Sequence, residues 1–286
     1  MSIVKAYYYL TKPGIIRGNA VVAAAGFLLA SKGHINLGLL VATLVGLSLV
    51  VGSSCVFNNY IDRGIDAKMS RTKRRALVTQ SISARSAIIY AVILGLAGSV
   101  LLGFYTNALA LGLALFGFFA YVVMYGIGKR RSVHGTVVGS ISGALPPVVG
   151  YTAVTGRLDA GAVILFLILV LWQMPHFYAI AIYRLDDYAA AKIPVLPLAS
   201  GLRATKIQIL VYIGAFMLAT GVLNLFGYAG VTYLVVTLGL GAAWLVLGLR
   251  GFKSGNDELW ARKMFRFSLL VITGWCIMIS LNSLLP

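Results

Sequence analysis

The sequence is short of charged residues, and above all of acids. Only 11% of its 286 residues are charged, and 7 are Asp or Glu against 24 Lys and Arg. Soluble globular domains carry about 25% charged residues. A hydrophobic content of 60% excludes a disordered chain, because disorder requires low hydrophobicity. The two cysteines are too few to hold a chain of this length as a disulfide scaffold.

Long apolar stretches, in contrast, recur along the whole chain. A helix that crosses a bilayer needs about 20 mostly apolar residues. A basic excess alone could indicate nucleic-acid binding, but together with these apolar stretches it indicates a membrane protein. We predict an all-α integral membrane protein in which residues 1–286 form a single polytopic domain. The nine predicted spans lie near residues 16–33, 37–58, 86–105, 108–127, 136–156, 160–183, 206–225, 229–249 and 266–285.

The distribution of charge predicts the orientation of these spans. With a cytoplasmic N-terminus, all of the 24 Lys and Arg except Lys32 and Arg157 fall on the cytoplasmic side. This is the asymmetry that the positive-inside rule describes, so we predict an N-in, C-out protein. Among the acids, only Asp159 falls outside. The first span is preceded by neither a cleavable signal nor a transit segment, which favours a bacterial inner-membrane protein.

Three polar residues at the end of the second span have helical spacing. Asn58, Asp62 and Asp66 lie at i, i+4 and i+8 and would share one helix face. Two carboxylates four residues apart repel each other, and a divalent cation between them would remove the repulsion. Oxygen ligands suit Mg²⁺, which prefers one or two carboxylates together with substrate phosphates. The alternative is a solvated helix end whose acids pair with Arg63 and Lys68.

Basic residues follow these acids closely. Arg71 and Arg75 are also four residues apart and begin within ten residues of Asp66. Carboxylates that hold Mg²⁺, with arginines around the remaining oxygens, form the arrangement that a diphosphate requires. We therefore predict that Arg71 and Arg75 bind a diphosphate.

A second polar segment follows the sixth span. Asp187 lies four residues after Tyr183, so the spacing of the first acids is repeated with a phenol at one end. The two segments could face each other and hold two Mg²⁺ ions. The alternative is an ordinary loop in which Arg184 balances Asp186. Deeper in the same span, Gln173 and His176 are polar residues that are costly in a membrane unless they face a cavity or a partner.

One pattern resembles the first signature of the UbiA-type intramembrane prenyltransferases. This pattern is Asn58-x-x-x-Asp62-x-x-x-Asp66, followed by Arg71-Thr72-x-x-Arg75. Further segments look like the haem-farnesylating members of that family. The likeness runs from about residue 8 to the last span. These segments are Thr11-Lys12-Pro13-Gly14, Cys55-Val56-Phe57-Asn58-Asn59-Tyr60-Ile61-Asp62-Arg63, Trp172-Gln173-Met174-Pro175-His176-Phe177 and Ile193-Pro194-Val195-Leu196-Pro197.

The resemblance implies nine transmembrane helices around a central cavity, with the active site at the cytoplasmic side. It implies transfer of a farnesyl group from farnesyl diphosphate to a vinyl group of haem B, giving haem O, with Mg²⁺ as cofactor. The implied catalytic residues are Asp62, Asp66 and Asp187. The implied metal ligands are Asn58, Asp62, Asp66 and Asp187, the diphosphate contacts are Arg71, Arg75 and Lys192, and the haem or prenyl pocket contains Trp172, Gln173, His176 and Tyr183.

The resemblance leaves several points open. Either Asp186 or Asp187 could be the metal ligand, and His176 could ligate haem iron, bond a substrate or bond a neighbouring helix. The implied partners are farnesyl diphosphate, haem B, the lipid bilayer and a downstream haem-modifying enzyme or terminal oxidase, with no nucleic acid.

Three other functions share features with this sequence. The acceptor could be an aromatic or quinone precursor rather than haem. CDP-alcohol phosphotransferases also use D-x-x-x-D, but their Asp-Gly-x-x-Ala-Arg segment is absent here. A transporter is the non-enzyme alternative, although coupling sites of transporters lie near the bilayer midplane rather than at helix ends.

Overall fold

The computed structural model describes residues 2–285, and over that range it contains helices and no strand. In chain order the α-helices are α1 (Ile3–Leu10), α2 (Pro13–Ser31), α3 (Leu37–Asp66), α4 (Ala84–Tyr105), α5 (Ala108–Phe119), α6 (Gly126–Arg131), α7 (Gly135–Thr155), α8 (Ala160–Tyr183), α9 (Leu185–Ala190), α10 (Leu196–Leu225), α11 (Val231–Arg250) and α12 (Asp257–Ser280). A π-helical segment, Ala120–Tyr125, joins α5 to α6.

Nine helices in this part of the chain are long and apolar enough to cross a membrane, which confirms the predicted all-α membrane architecture. One of them is the continuous stretch Ala108–Arg131, which contains α5, the π-helical segment and α6. Three helices begin or end well outside the predicted spans. Helix α3 continues to Asp66, α10 begins at Leu196 and α12 begins at Asp257. Apolar content therefore located the spans but not these polar extensions.

Polar side chains cap the N-termini of several of the long helices. Asn36, Asn107 and Asn256 each accept a hydrogen bond from the backbone N–H three residues later, at the start of α3, α5 and α12. Asp159 does the same for α8 and also accepts a hydrogen bond from Tyr151. These caps satisfy N–H groups that have no partner within the helix. The one acid that was predicted to lie outside thus has a structural role.

Glycines allow α2 and α7 to approach each other closely. A Cβ atom at Gly26 would overlap the backbone carbonyl of Pro147, and one at Gly150 would overlap the carbonyl of Ala23. Side chains cannot give way at such contacts, because the opposing atoms belong to the backbone. Close packing by small residues is a general means of holding membrane helices together. These glycines therefore keep α2 and α7 in direct contact.

The long helices surround a cavity. Helix α2 packs against α3, α7 and α12, and α8 packs against α7, α10 and α12. The cavity of about 660 Å³ that lies between them is lined by side chains from α2, α3, α7, α8, α12 and the π-helical segment. Many large apolar side chains on the opposite helix faces are exposed, Phe104 and Leu225 among them. Those faces are suited to contact with lipid.

Candidate active site

The polar residues at the end of α3 lie in the wall of this cavity. Asn58, Asp62 and Asp66 are 3%, 6% and 5% exposed, and all three contribute to the same wall. They do so because α3 remains helical beyond its apolar part and ends only at Asp66. The four-residue spacing then places the three side chains on one face of the helix.

Two basic side chains neutralise Asp62. Lys129 donates to one carboxylate oxygen, and Arg130 donates to the other at 3.1 Å. Arg130 also donates to the backbone carbonyl of Ile61 at 2.8 Å. The side chains of Lys129 and Asp62 are only 10% and 9% exposed, so this is a buried ion pair. A buried carboxylate requires such a partner, because an isolated charge in low dielectric is costly.

The neighbouring polar groups also have basic partners. Lys12 donates to the amide oxygen of Asn58 at 2.6 Å, and Arg75 donates to the carboxylate of Asp66 at 2.6 Å. Burial lowers the pKa of the Lys12 ammonium to about 8. Arg71 also lines the cavity. The end of the cavity therefore holds more positive than negative charge, which favours binding of an anion.

Reasoning from the sequence missed Lys12, Lys129 and Arg130 as parts of this site. All three were explained by membrane topology alone. Lys12 and Lys129 lie 46 and 67 residues from their partners on α3, so local spacing carries no sign of these contacts. The one available signal was the resemblance of the Thr11-Lys12-Pro13-Gly14 segment.

The oxygen atoms in this wall fit a hard cation that shares its coordination with phosphate. Asp62 and Asp66 supply carboxylates, and Asn58 supplies an amide oxygen. No group of three or more His, Cys, Asp and Glu side chains converges among residues 2–285. Mg²⁺ is commonly bound by one or two carboxylates, with water and substrate phosphates completing its octahedron. The residues of this site therefore suit Mg²⁺ bound together with a diphosphate.

Asp187 is not part of the cavity wall and contacts Ser70 instead. Its carboxylate accepts hydrogen bonds from the backbone N–H and the hydroxyl of Ser70, at 2.8 and 2.7 Å. Burial opposes its ionisation, but the bonds from Ser70 and the charges of Arg184 and Arg71 outweigh burial and lower the pKa of Asp187. This contact ties α9 to the loop that follows α3. Its neighbour Asp186 is exposed.

Two further predicted site residues also lie outside the cavity wall. Tyr183 packs edge-on against Phe265, with the guanidinium of Arg262 5.0 Å from its ring centre. Lys192 is exposed and has a left-handed backbone conformation, with φ of 53°. The structure thus brings Asn58, Asp62, Asp66, Arg71 and Arg75 into one wall but does not add Tyr183, Asp187 or Lys192 to it. The roles predicted for these three residues stay predictions.

Polar residues of α8 also line the cavity. Trp172 Nε1 donates to the backbone carbonyl of Ser268 at 2.9 Å, and Gln173 Nε2 donates to the carbonyl of Ser140 at 3.1 Å. His176 Nδ1 lies 2.7 Å from the hydroxyl of Ser268. These bonds attach α8 to α7 and α12. They also hold Trp172, Gln173 and His176 in place as part of the cavity wall.

The π-helical segment contributes two tyrosines that sequence reasoning also missed. The rings of Tyr121 and Tyr125 stack with their centres 5.7 Å apart and line the cavity. The ammonium of Lys129 lies 4.9 Å from the ring centre of Tyr125. Single π-helical turns within α-helices are frequent at functional sites. The cavity thus combines a charged end with aromatic and aliphatic walls, which is the form expected for an amphiphilic substrate with an anionic head and an apolar tail.

Residues 19–270 match the UbiA prenyltransferase family, and the chain belongs to this family. Its relatives include proteins named protoheme IX farnesyltransferase. That of Yersinia pseudotuberculosis serotype O:1b is 55% identical over 281 residues, covering 98% of this chain and 95% of the relative. That of Protochlamydia amoebophila is 54% identical over 267 residues, covering 93% and 94%. That of Photorhabdus laumondii is 54% identical over 285 residues, covering 99% and 97%.

Solved structures share the fold at low sequence identity. A digeranylgeranylglyceryl phosphate synthase has a TM-score of 0.81 at 18% identity and covers 99% of each chain. A UbiA homologue from Aeropyrum pernix has a TM-score of 0.73 at 18% identity, covering 95% of this chain and 97% of that one. A UbiA homologue from Archaeoglobus fulgidus, solved with GPP and Mg²⁺, has a TM-score of 0.64 at 17% identity, covering 96% and 99%.

Proposed function

We propose that this protein transfers the farnesyl group of farnesyl diphosphate to a vinyl group of haem B, giving haem O. The observation that carries the proposal is the pairing of Asp62, Asp66 and Asn58 with basic side chains at the end of one largely apolar cavity. The acceptor and the transferred farnesyl group are those in the name of relatives that are 54 and 55% identical over almost the whole chain.

The charged end of the cavity is suited to hold the diphosphate. Asp62, Asp66 and Asn58 would hold Mg²⁺, which neutralises phosphate charge when bound. Lys129, Arg130 and Arg75 now pair with the acids, and in the complex they would donate to phosphate oxygens instead. Lys12 and Arg71 line the same end. Positive groups fixed in a site of low dielectric stabilise the charge that develops on a departing diphosphate.

The reaction then breaks the allylic C–O bond, the π bond of the vinyl group and one O–H bond of water, and it forms one C–C and one C–O bond. The allylic C–O bond of farnesyl diphosphate breaks, and its electron pair leaves with the diphosphate. The π electrons of the haem vinyl double bond form a new bond between its terminal carbon and the farnesyl carbon, which leaves a cation on the vinyl carbon next to the porphyrin ring. Water adds to that cation and loses a proton, giving the hydroxyl group. The rings of Tyr121 and Trp172 line the cavity and can stabilise cationic character by their π-faces.

Further parts of the proposal concern the other predicted residues and the cell. Asp187 and Lys192 would approach the diphosphate from the loop after α8, with Asp187 as an additional metal ligand and Lys192 as a phosphate contact. Residues 1–286 would act as one domain in a bacterial inner membrane, with the N-terminus and the charged end of the cavity in the cytoplasm.

The test is production of haem O by the full chain. Purified protein in lipid nanodiscs, supplied with haem B, farnesyl diphosphate and Mg²⁺, should form a product whose mass equals haem B plus one farnesyl and one hydroxyl group. Removal of divalent cations with EDTA should stop the reaction, and added Mg²⁺ should restore it. In a parallel reaction that also contains an aromatic or quinone precursor, prenylation of that precursor with haem B unchanged would show that the acceptor is wrong.

Asp62→Asn is the matched variant for the site. It removes one charge that organises the diphosphate end, and we expect turnover to fall by at least about 100-fold, as for other fixed groups that stabilise developing charge. The control is Glu258→Gln, because Glu258 forms an exposed pair with Arg262 on α12 and lies outside the cavity wall. Equal haem O formation by Asp62→Asn and the wild type would contradict the proposed site.

A further inference from the structure

His176 is held in one tautomer by its neighbour on α12. The hydroxyl of Ser268 lies 2.6 Å from the backbone carbonyl oxygen of Phe265 and 2.7 Å from His176 Nδ1. A carbonyl oxygen can only accept, so the single hydroxyl proton of Ser268 is donated to Phe265. The hydroxyl oxygen must then accept from His176, and Nδ1 carries the proton. The lone pair of the imidazole is therefore on Nε2.

Nε2 is available to a molecule in the cavity. His176 lines the cavity wall, and Nε2 has no hydrogen-bond partner among residues 2–285. Aromatic rings surround the imidazole: Trp172 stacks on it with centres 4.8 Å apart, and Phe265 and Phe177 lie at 4.9 and 5.3 Å. Among these aromatic contacts, the lone pair of Nε2 is the one group of the His176 ring that has no partner in the described part of the chain. Aromatic rings around a free nitrogen lone pair suit a planar aromatic molecule with a metal at its centre.

The other histidine, cysteine and methionine side chains are less suitable as ligands of haem iron. His34 is exposed in the turn before α3, and His134 lies before α7 outside the cavity wall. Cys55 and Met69 do line the cavity, together with Asp62 and Asp66 on the same stretch of chain, so they belong to its charged end. Within the described part of the chain, His176 is the histidine that faces the cavity.

We propose that His176 binds the iron of the haem substrate through Nε2, and that Ser268 is a positioning residue that keeps Nδ1 protonated. The inference rests on the proposed function, because it assumes that haem enters this cavity. Neutral imidazole is a common ligand of haem iron, and its orientation is generally set by a hydrogen bond at the other ring nitrogen. Coordination at a fixed point limits the porphyrin to rotation about the iron–nitrogen bond. The vinyl groups are then confined to a circle of fixed radius around that bond, which passes through the cavity rather than filling it.

The experiment compares haem B with iron-free protoporphyrin IX, which has the same ring and vinyl groups. Each is titrated into the full-length protein in nanodiscs, and binding is followed by absorption and by quenching of tryptophan fluorescence. His176→Ala should weaken binding of haem B and remove the iron–histidine band from the resonance Raman spectrum of the ferrous complex. Its affinity for protoporphyrin IX should equal that of the wild type, which also shows that the variant is folded.

Two further measurements separate coordination from packing. Free imidazole should restore the Soret band of His176→Ala to the wild-type position, since it can occupy the space left by the side chain. Ser268→Ala keeps the backbone carbonyl that bonds Trp172 and should weaken haem B binding by about 10- to 100-fold, the usual effect of losing a group that orients a metal ligand. His134→Ala is the matched control and should bind haem B as the wild type does.

The proposal is wrong if His176→Ala keeps the wild-type spectrum and affinity for haem B. It is also wrong if the variant loses haem B and protoporphyrin IX to the same extent, because the role of His176 is then to shape the cavity. Either result leaves the proposed function standing as long as the wild type forms haem O. Conversely, a wild type that binds haem B through His176 but makes no haem O would contradict the proposed function and not this inference.

Discussion

Asp62 is a buried carboxylate for which two kinds of cation can compete. In the protein alone it pairs with Lys129 and Arg130, and its side chain is only 9% exposed. Removing one partner from a buried ion pair typically costs about 3–5 kcal/mol, because the other charge is left without compensation. If Mg²⁺ binds at Asp62 as proposed, it would have to displace at least one basic side chain. That side chain would then be free to bind the phosphate of the substrate.

Lys129→Met tests this exchange, because its two effects have opposite signs. Without a competing ammonium group, Mg²⁺ alone should bind the protein about tenfold more tightly, which corresponds to about 1.4 kcal/mol. Turnover with farnesyl diphosphate should fall by at least the same factor, because a positive charge is missing from the phosphate site. Isothermal titration with Mg²⁺ measures the first effect, and haem O formation measures the second.

Arg131→Met is the control for this variant. Arg131 belongs to the same basic run as Lys129 but is exposed and outside the cavity wall, so both measurements should match the wild type. If Lys129→Met binds Mg²⁺ no more tightly than Arg131→Met, Lys129 does not compete for Asp62.

A residue of this site could be predicted from the sequence only where it lies close in the chain to the residue that it contacts. Asn58, Asp62 and Asp66 lie within one helix, so their spacing was sufficient to place them on a common face. Arg75 lies nine residues from Asp66 and was found by proximity. Lys12 and Lys129 meet α3 only through packing of distant helices, and a basic residue beside a membrane span already had an explanation. The tautomer of His176 likewise depends on Ser268, which is 92 residues away.

The π-helical segment determines which side chains of its helix reach the cavity. A π turn inserts an extra residue into the helix, and each residue of an α-helix advances about 100° around the axis. The residues after Ala120–Tyr125 are therefore rotated relative to those of α5. Lys129 and Arg130 lie beyond this segment and contact Asp62, so we infer that the rotation turns them toward α3.

Deletion of Val123 should reverse that rotation. Val123 is 39% exposed and faces away from the cavity, so the deletion removes length rather than a cavity contact. A regular α-helix in this segment would turn Lys129 away from Asp62, and diphosphate binding and haem O formation should both fall by at least about tenfold. Val123→Ala keeps the length and should behave as the wild type. Full activity of the deletion variant, with membrane levels like those of Val123→Ala, would show that the π turn is not required.

Element boundaries were predicted well where hydrophobicity changes at the helix end. The span predicted at 160–183 coincides with α8, because a cap residue and a polar segment flank it. The apolar spans predicted for α3, α10 and α12 stop short of one end of the helix, since these helices continue into polar sequence that a bilayer does not require. For α3, the helical spacing of Asn58, Asp62 and Asp66 already indicated this extension. The extension of α3 carries Asp62 and Asp66. In α10, a left-handed Gly201 with φ of 79° separates the early turn from the membrane part that hydrophobicity detects.

The charged residues at the two ends of the helix bundle have different roles. At one end, basic side chains meet Asp62 and Asp66 inside the cavity. At the other end, Asp159 caps α8 and lies 3.6 Å from Arg157, a largely exposed pair that contributes little to stability. The small number of acids is therefore divided between a candidate active site and structural caps and pairs. The same asymmetry of basic residues predicts the orientation of the whole protein.

Reporter fusions test that orientation directly. A fluorescent protein inserted after Ser254, between α11 and α12, should fluoresce in the cytoplasm, because this turn lies at the end with basic Arg250, Lys253 and Arg262. Alkaline phosphatase fused after the last helix should be active, since that enzyme requires the oxidising periplasm. The reverse pair of fusions, with each reporter exchanged, should be silent. Activity of the phosphatase at Ser254 would place the diphosphate end of the cavity outside the cell, where a cytoplasmic prenyl donor could not reach it, and would contradict the orientation on which the proposed reaction depends.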